Sequence, residues 1–293
     1  MHFKQIVVGV DFSPNSKQAM KEALRLQRDA HTGVVAVHVV EKKLLGDIEK
    51  FLELGEEQVR AQSERCLEHW ITELAGPNHN VCCEAVIAHP FEGLIHATER
   101  HHADLLILGS RGVMAGVGHP GAVASKCVRK ADIDVLLVRR NHDGPFQRVV
   151  ACVECNDTSV HAVECARRVA EADGAKCQML HIHVPVALGS LALDPFPVET
   201  HSRWLESLDA TAKADFEAFV KSVPSSEAGP EPVYRVAVSA SDGIREFLQE
   251  TSADLAVLGT RGRTGMRAML LGTTAERLLH EVPCSLFVVK SKA

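Results

Sequence analysis

Apolar runs and helical stripes alternate along the whole chain. Residues 6–10, Ile-Val-Val-Gly-Val, are uninterrupted by charge until Asp11, as expected of a parallel strand covered on both faces. Ser13-Pro14-Asn15-Ser16 then punctuates the chain, and Ala19, Ala23, Leu26 and Ala30 recur at helical spacing. Gly33 ends this helix. Residues 34–40 read as the second strand, and a long helical segment to about Ala75 carries Leu67, Trp70, Ile71 and Leu74 on one stripe. Gly76-Pro77-Asn78 stops it. Residues 81–88 read as a third strand, 92–100 as a helix, and 104–108 as a fourth strand running into Gly109-Ser110-Arg111-Gly112. A further helix and a strand at 135–138 complete the unit.

A short polar break at 141–145 follows, and the pattern begins again. Phe3-Lys4-Gln5-Ile6-Val7-Val8 aligns with Phe146-Gln147-Arg148-Val149-Val150-Ala151, and Ala103-Asp104-Leu105 aligns with Ala253-Asp254-Leu255. His38-Val39 is matched to His183-Val184, and Gly109 to Gly259. The chain therefore reads as a tandem duplication, with domains at 1–141 and 146–293, whose length differences fall in loops. Strand–helix–strand alternation with short loops requires right-handed crossovers and a parallel sheet between helical layers. Ligands of such sheets lie at the carboxyl ends of the strands.

Composition narrows the class of function. The 293 residues are 46% hydrophobic and 24% charged, enough for two domains with full cores. A net charge of −6 with no visible basic patch argues against nucleic acid or an anionic membrane as partner. The run at 6–10 is too short for a signal sequence or a membrane span, so a cytoplasmic protein is expected. Nine cysteines, an odd number scattered through strand and helix patterns, suit reduced thiols better than a disulfide framework.

The candidate chemistry centres on Gly259-Thr260-Arg261-Gly262, followed after nine intervening residues by Gly272-Thr273. A glycine-rich turn between a strand and a helix N-terminus offers backbone N–H groups and a positive dipole end to phosphate. Positive φ is expected at Gly259, Gly262 and Gly272. No lysine stands at the helix start, so this is not a Walker A motif and magnesium-assisted transfer of that kind is not indicated. Val257-Leu258-Gly259-Thr260-Arg261-Gly262 with Gly272-Thr273-Thr274-Ala275-Glu276 resembles the ATP-binding signature of the universal stress protein family. The resemblance extends over both halves. It implies two flavodoxin-like or Rossmann-like α/β/α domains, each with a five-stranded parallel sheet. These would form an intramolecular pseudo-dimer through their last strands, at 135–138 and 286–289, with a further homodimer open.

The resemblance also implies a regulatory protein that holds ATP or AMP, with or without magnesium, and acts on an unidentified protein partner. The family's adenosine end uses an acid after the first strand and backbone at the end of the second. These are Asp11 and Val39 in the first half, and Val153, Glu154 and Val184 in the second. Its phosphate end falls on Gly109, Gly112 and Gly121 in the first half, and on Leu258, Gly259, Thr260, Arg261, Gly262, Gly272, Thr273 and Thr274 in the second. The first half departs from the pattern: eight residues separate Gly112 from Gly121, His119-Pro120 intrude, and Ala122 stands at the hydroxyl position. Its adenosine end is sound. In the second half the phosphate motif is intact but the acid is the longer Glu154, and nucleotide is expected chiefly there.

Three other readings compete. Cys152 and Cys155 with His181 and His183 offer two thiolates and two imidazoles, a set that suits tetrahedral zinc or thiol chemistry. Bound ATP could be slowly hydrolysed or used for autophosphorylation, as the resemblance allows. No general base is picked out beside the phosphate loop by spacing, so binding and signalling is favoured over catalysis. The apolar segment 185–197, with Leu188, Leu191, Leu193 and Phe196, could instead serve another small or apolar ligand.

Overall fold

Ile6, Val7 and Val8 have no exposed surface, because the strand they form lies between two neighbours and under helices on both faces. The computed structural model describes residues 3–27, 31–110, 121–185, 198–224, 229–259 and 272–290. The chain divides into two units, one of Met1–Gly144 with Ser285–Val288, the other of Pro145–Cys284 with Val289–Ala293.

The first unit runs β1 (Gln5–Gly9), α1 (Pro14–Leu26), β2 (Gly33–Glu41), α2 (Lys42–Leu52), α3 (Glu56–Ala75), β3 (Val81–Ala88), α4 (Pro90–Arg100), β4 (Leu105–Gly109), α5 (Ala122–Lys130) and β5 (Asp134–Val138). These strands are parallel in the order β3-β2-β1-β4-β5. This is the doubly wound α/β class expected, in its Rossmann strand order. The order reverses between β1 and β4, which opens a crevice at their carboxyl ends. Ser13 caps α1 by accepting from the Ser16 N–H, and Pro14 occupies the first turn, where no N–H is needed.

One helix was expected up to Ala75, and two are found. Glu53 takes a left-handed φ of 55°, and the chain restarts at Gly55, whose N–H donates to the Gln58 side chain in a capping arrangement.

The second unit runs β6 (Arg148–Cys152), α6 (Asp157–Asp173), β7 (Lys176–His183), α7 (Val198–Ser222), β8 (Glu231–Val236), α8 (Ala240–Glu250), β9 (Leu255–Gly259) and α9 (Thr273–Glu281). Its strands pair in parallel as β8-β7-β6-β9, so the order reverses between β6 and β9 as it does between β1 and β4. The registers repeat: Gln5 lies opposite Gly33 and Arg148 opposite Lys176, while Gly9 lies opposite Leu108 and Cys152 opposite Leu258.

The last strand, β10 (Ser285–Val289), is counted largely with the first unit. There Leu286, Phe287 and Val288 pair antiparallel with Leu137, Leu136 and Val135 of β5. These are the two strands the sequence singles out for pairing. Among the described residues, no helix is long and apolar enough to cross a membrane.

Candidate functional site

In the first unit a cavity of about 250 Å³ opens at the carboxyl ends of β1 and β4. Asp11, Val39, Gly109 and Gly121, expected from separate parts of the chain, all line it. Gly112 lies outside the described residues. Val37, Leu94 and Leu108 make its wall mostly apolar, which suits the face of a planar ring. Asp11 is the acid on this wall, and its Oδ1 accepts from the Ser13 N–H at 3.0 Å, fixing the carboxylate where β1 gives way to α1. The cavity also meets the first turn of α5, where no side chain caps Gly121. Gly121 gives its own N–H to the Ser110 carbonyl, so the turn presents Ala122, Val123 and Ala124, none of which carries a hydroxyl.

Gly109 serves packing and not a left-handed turn. A Cβ on Gly109 would stand 2.7 Å from both the Asn15 Cβ and its carbonyl carbon, so this glycine admits the start of α1 against β4. Gly121 and Gly272, which cap α5 and α9, have φ of −62° and −58°. The positive φ expected at Gly272 is therefore corrected: a helix N-cap is extended, and any residue can adopt that conformation.

The second unit has a smaller cavity, about 60 Å³, at the matching place. Val153, Glu154, Leu258, Gly259 and Thr274 line it, with His181 and Ile182. Gly272 and Thr273 begin α9 beside it, while Thr260, Arg261 and Gly262 lie outside the described residues. Cys152 occupies the register position of Gly9, over which Leu108 and Leu94 close in the first unit, and both residues line their cavities.

Val184 is not part of this wall. Register places His181 where His38 stands and Ile182 where Val39 stands, so the match of His38-Val39 to His183-Val184 is two residues out. The helices agree: a Cβ on Gly93 would meet Val39, and one on Gly243 would meet Ile182, each at 3.0 Å. Val184 is 42% exposed beyond the end of β7. Ile182 is the residue sequence reasoning missed, because the repeated His-Val pair is the more obvious match.

A universal stress protein family model matches residues 2–139 and again 145–290. The chain belongs to the universal stress protein family. A universal stress protein of Methanocaldococcus jannaschii is 25% identical over 154 residues, 52% of this chain and 86% of that one. Another, from Thermus aquaticus, is 27% identical over 148 residues, half of this chain and 99% of its own length. Among solved structures, a universal stress protein from Archaeoglobus fulgidus covers 99% of both chains at 17% identity with a TM-score of 0.69, a likeness of fold.

Within this universal stress protein chain the metal alternative finds no support. Among the described residues, no three of Cys152, Cys155, His181 and His183 bring ligand atoms within 4.8 Å of one another. Burial pushes the Cys152 thiol far above its ordinary range. His183 turns instead to Asp209, with Nε2 and Oδ1 2.6 Å apart, and His181 packs against Phe216 and Tyr234, which also touch each other. Of the apolar segment at 185–197, all but Pro185 lies outside the described residues.

Proposed function

We infer that this chain is a regulatory protein that binds an adenine nucleotide, ATP or AMP, at the carboxyl ends of its central strands. The observation that carries the reading is the convergence of Asp11, Val39, Gly109 and Gly121 on one cavity at the strand-order reversal of the first unit. Apolar side chains would enclose the base, the Asp11 carboxylate would accept from ribose hydroxyls, and the start of α5 would face the phosphates. The sequence motif favours the second half, but the room favours the first, by about 250 Å³ to about 60 Å³. The first unit is therefore the proposed principal site, with Gly272 and Thr273 of the second a phosphate-binding end on a tighter pocket. No described residue on the wall of the first cavity besides Asp11 is acidic, which favours binding over turnover.

Calorimetric titration of the full chain with ATP and AMP tests this. Binding that Asp11→Ala weakens at least tenfold, and that survives Gly262→Val, is the expected result. Loss with Gly262→Val alone would move the site to the second half. An unaltered chain that takes up neither nucleotide overturns the reading.

A further inference from the structure

Lys126 stands one helical turn into α5, five residues after the N-cap Gly121. Side chains on a helix lean toward its N-terminus, so those at 122, 123 and 126 share one face that looks back over the first turn. Ala122 and Val123 of that face line the first cavity. The Lys126 Nζ lies 4.3 Å from the centre of the Phe91 ring, and Phe91 directly follows Pro90, which lines the same cavity at the start of α4. The ammonium is therefore held at the rim, between two helix N-termini.

That is an unfavourable place for a cation. The first hydrogen bond within α5 runs from the Ser125 N–H to the Gly121 carbonyl, which leaves the N–H groups of Ala122, Val123 and Ala124 without an acceptor in the helix. The negative face of the Phe91 ring offsets part of the repulsion, but a ring is not a counter-ion. Among the described residues Lys126 pairs with no carboxylate, and Glu92, exposed in the first turn of α4, is not its partner. An anion at the rim would satisfy the N–H groups and the ammonium together.

The second unit treats the matching cation differently. Arg277 stands five residues after the N-cap Gly272, and the correspondence of Gly93 with Gly243 puts Ser241 at the position of Phe91 and Asp242 at that of Glu92. Hydrogen bonds from Ser239 and Arg245, with the charges of Arg245 and Arg277, hold the Asp242 carboxyl below its ordinary range. Arg277 thus has a carboxylate within reach of its charge, where Lys126 has a ring.

We propose that Lys126 binds the phosphate of the nucleotide in the first unit, leaving Phe91 on its flexible four-carbon stem and standing in for the hydroxyl that Ala122 lacks. The inference rests on the nucleotide reading above and adds a specificity to it: phosphorylated adenine nucleotides are held in preference to adenosine. Asp11, the acid of the same wall, sits just past the end of β1 and repels phosphate from there. The two opposite charges fix which way round the nucleotide lies.

The test is calorimetric titration of the full chain with AMP and with adenosine, before and after Lys126→Gln. The unaltered chain should hold AMP about tenfold more tightly than adenosine. Lys126→Gln should remove that preference and leave the adenosine affinity unchanged, which also shows that the variant is folded. Lys126→Arg should keep most of the preference, and added salt should weaken AMP binding more in the unaltered chain than in Lys126→Gln. A preference for AMP that survives Lys126→Gln overturns the proposal and leaves the nucleotide reading intact. Equal affinity of the unaltered chain for the two ligands does the same, as does an equal loss of both in the variant, since the lysine would then act through the fold. A chain that takes up neither ligand overturns the nucleotide reading, and this proposal with it.

Discussion

His38 Nδ1 lies 2.8 Å from the carbonyl oxygen of Val10, tying the end of β1 to β2 beside the first cavity. The bond recurs between His181 and Val153 at 2.9 Å. Where β1 ends, the carbonyl has lost its strand partner, and the imidazole takes that partner's place. His38→Leu leaves the carbonyl unpaired and partly buried, with an expected loss of about 1–3 kcal/mol. Urea denaturation measures it. An unchanged midpoint would mean that the histidine is only filling space.

The Glu22 side chain, 2% exposed, accepts from Arg25 Nε at 2.9 Å and faces His142 Nε2 at 3.3 Å. His142 belongs to the polar segment after β5, so this carboxylate anchors that segment on α1. Removing one member of a buried ion pair strands the others without solvent. Glu22→Ala is expected to cost about 3–5 kcal/mol. Lys21→Ala breaks the neighbouring pair with Asp143, whose side chains are 43% and 77% exposed, and should cost less than about 1 kcal/mol. Equal costs in thermal denaturation would show that burial does not set the scale here.

In α6, Glu164 accepts from Arg167 at 2.8 Å and from Arg168 at 2.7 Å. The hydrogen bond from Arg167, foremost, holds this carboxyl at about 2. An unfolded glutamate titrates near 4.3. The folded state therefore binds its proton later, and the stabilisation is complete above about pH 4.3 and is lost as pH falls toward 2. Partial exposure screens it, to about 1–2 kcal/mol. Glu164→Gln should remove that amount at neutral pH and flatten the decline between about pH 4 and 2. A variant whose stability falls as steeply on acidification as the unaltered chain would assign the acid limb to other carboxylates.

What could be read from the chain follows from how each feature is encoded. β1 and β6 are legible because a strand buried on both faces needs an unbroken apolar run, and Ile6-Val7-Val8 and Val149-Val150-Ala151 supply it. The duplication is legible for the same reason. Asp11 and Gly109 could be placed in one site because each directly follows, or ends, such a strand. The break at Glu53 was hidden, since a single left-handed residue interrupts neither the charge pattern nor the apolar stripe around it. The tightness of the second cavity was hidden too. Its wall, with Leu180, Ile182, Ile244 and Leu258, is as apolar along the chain as that of the first, and its volume is set by side-chain packing that the pattern does not record.

The exchange of Val184 for Ile182 gives the sharpest check on the second site. Both are β-branched and two apart on one strand direction, so they project to the same side, but Ile182 is 8% exposed beneath Gly243 of α8 and Val184 is 42% exposed. Truncating a buried isoleucine removes its contacts and leaves a cavity, so Ile182→Ala should cost about 2–5 kcal/mol. Val184→Ala should stay within about 0.5 kcal/mol, as surface changes do. Ile182→Ala also opens the wall toward the volume found in the first unit, so any nucleotide affinity of the second half should rise in a chain already carrying Asp11→Ala. Chemical denaturation and titration of the two variants separate these effects. A larger loss from Val184→Ala would restore the two-residue shift, and with it the match of His183 to His38.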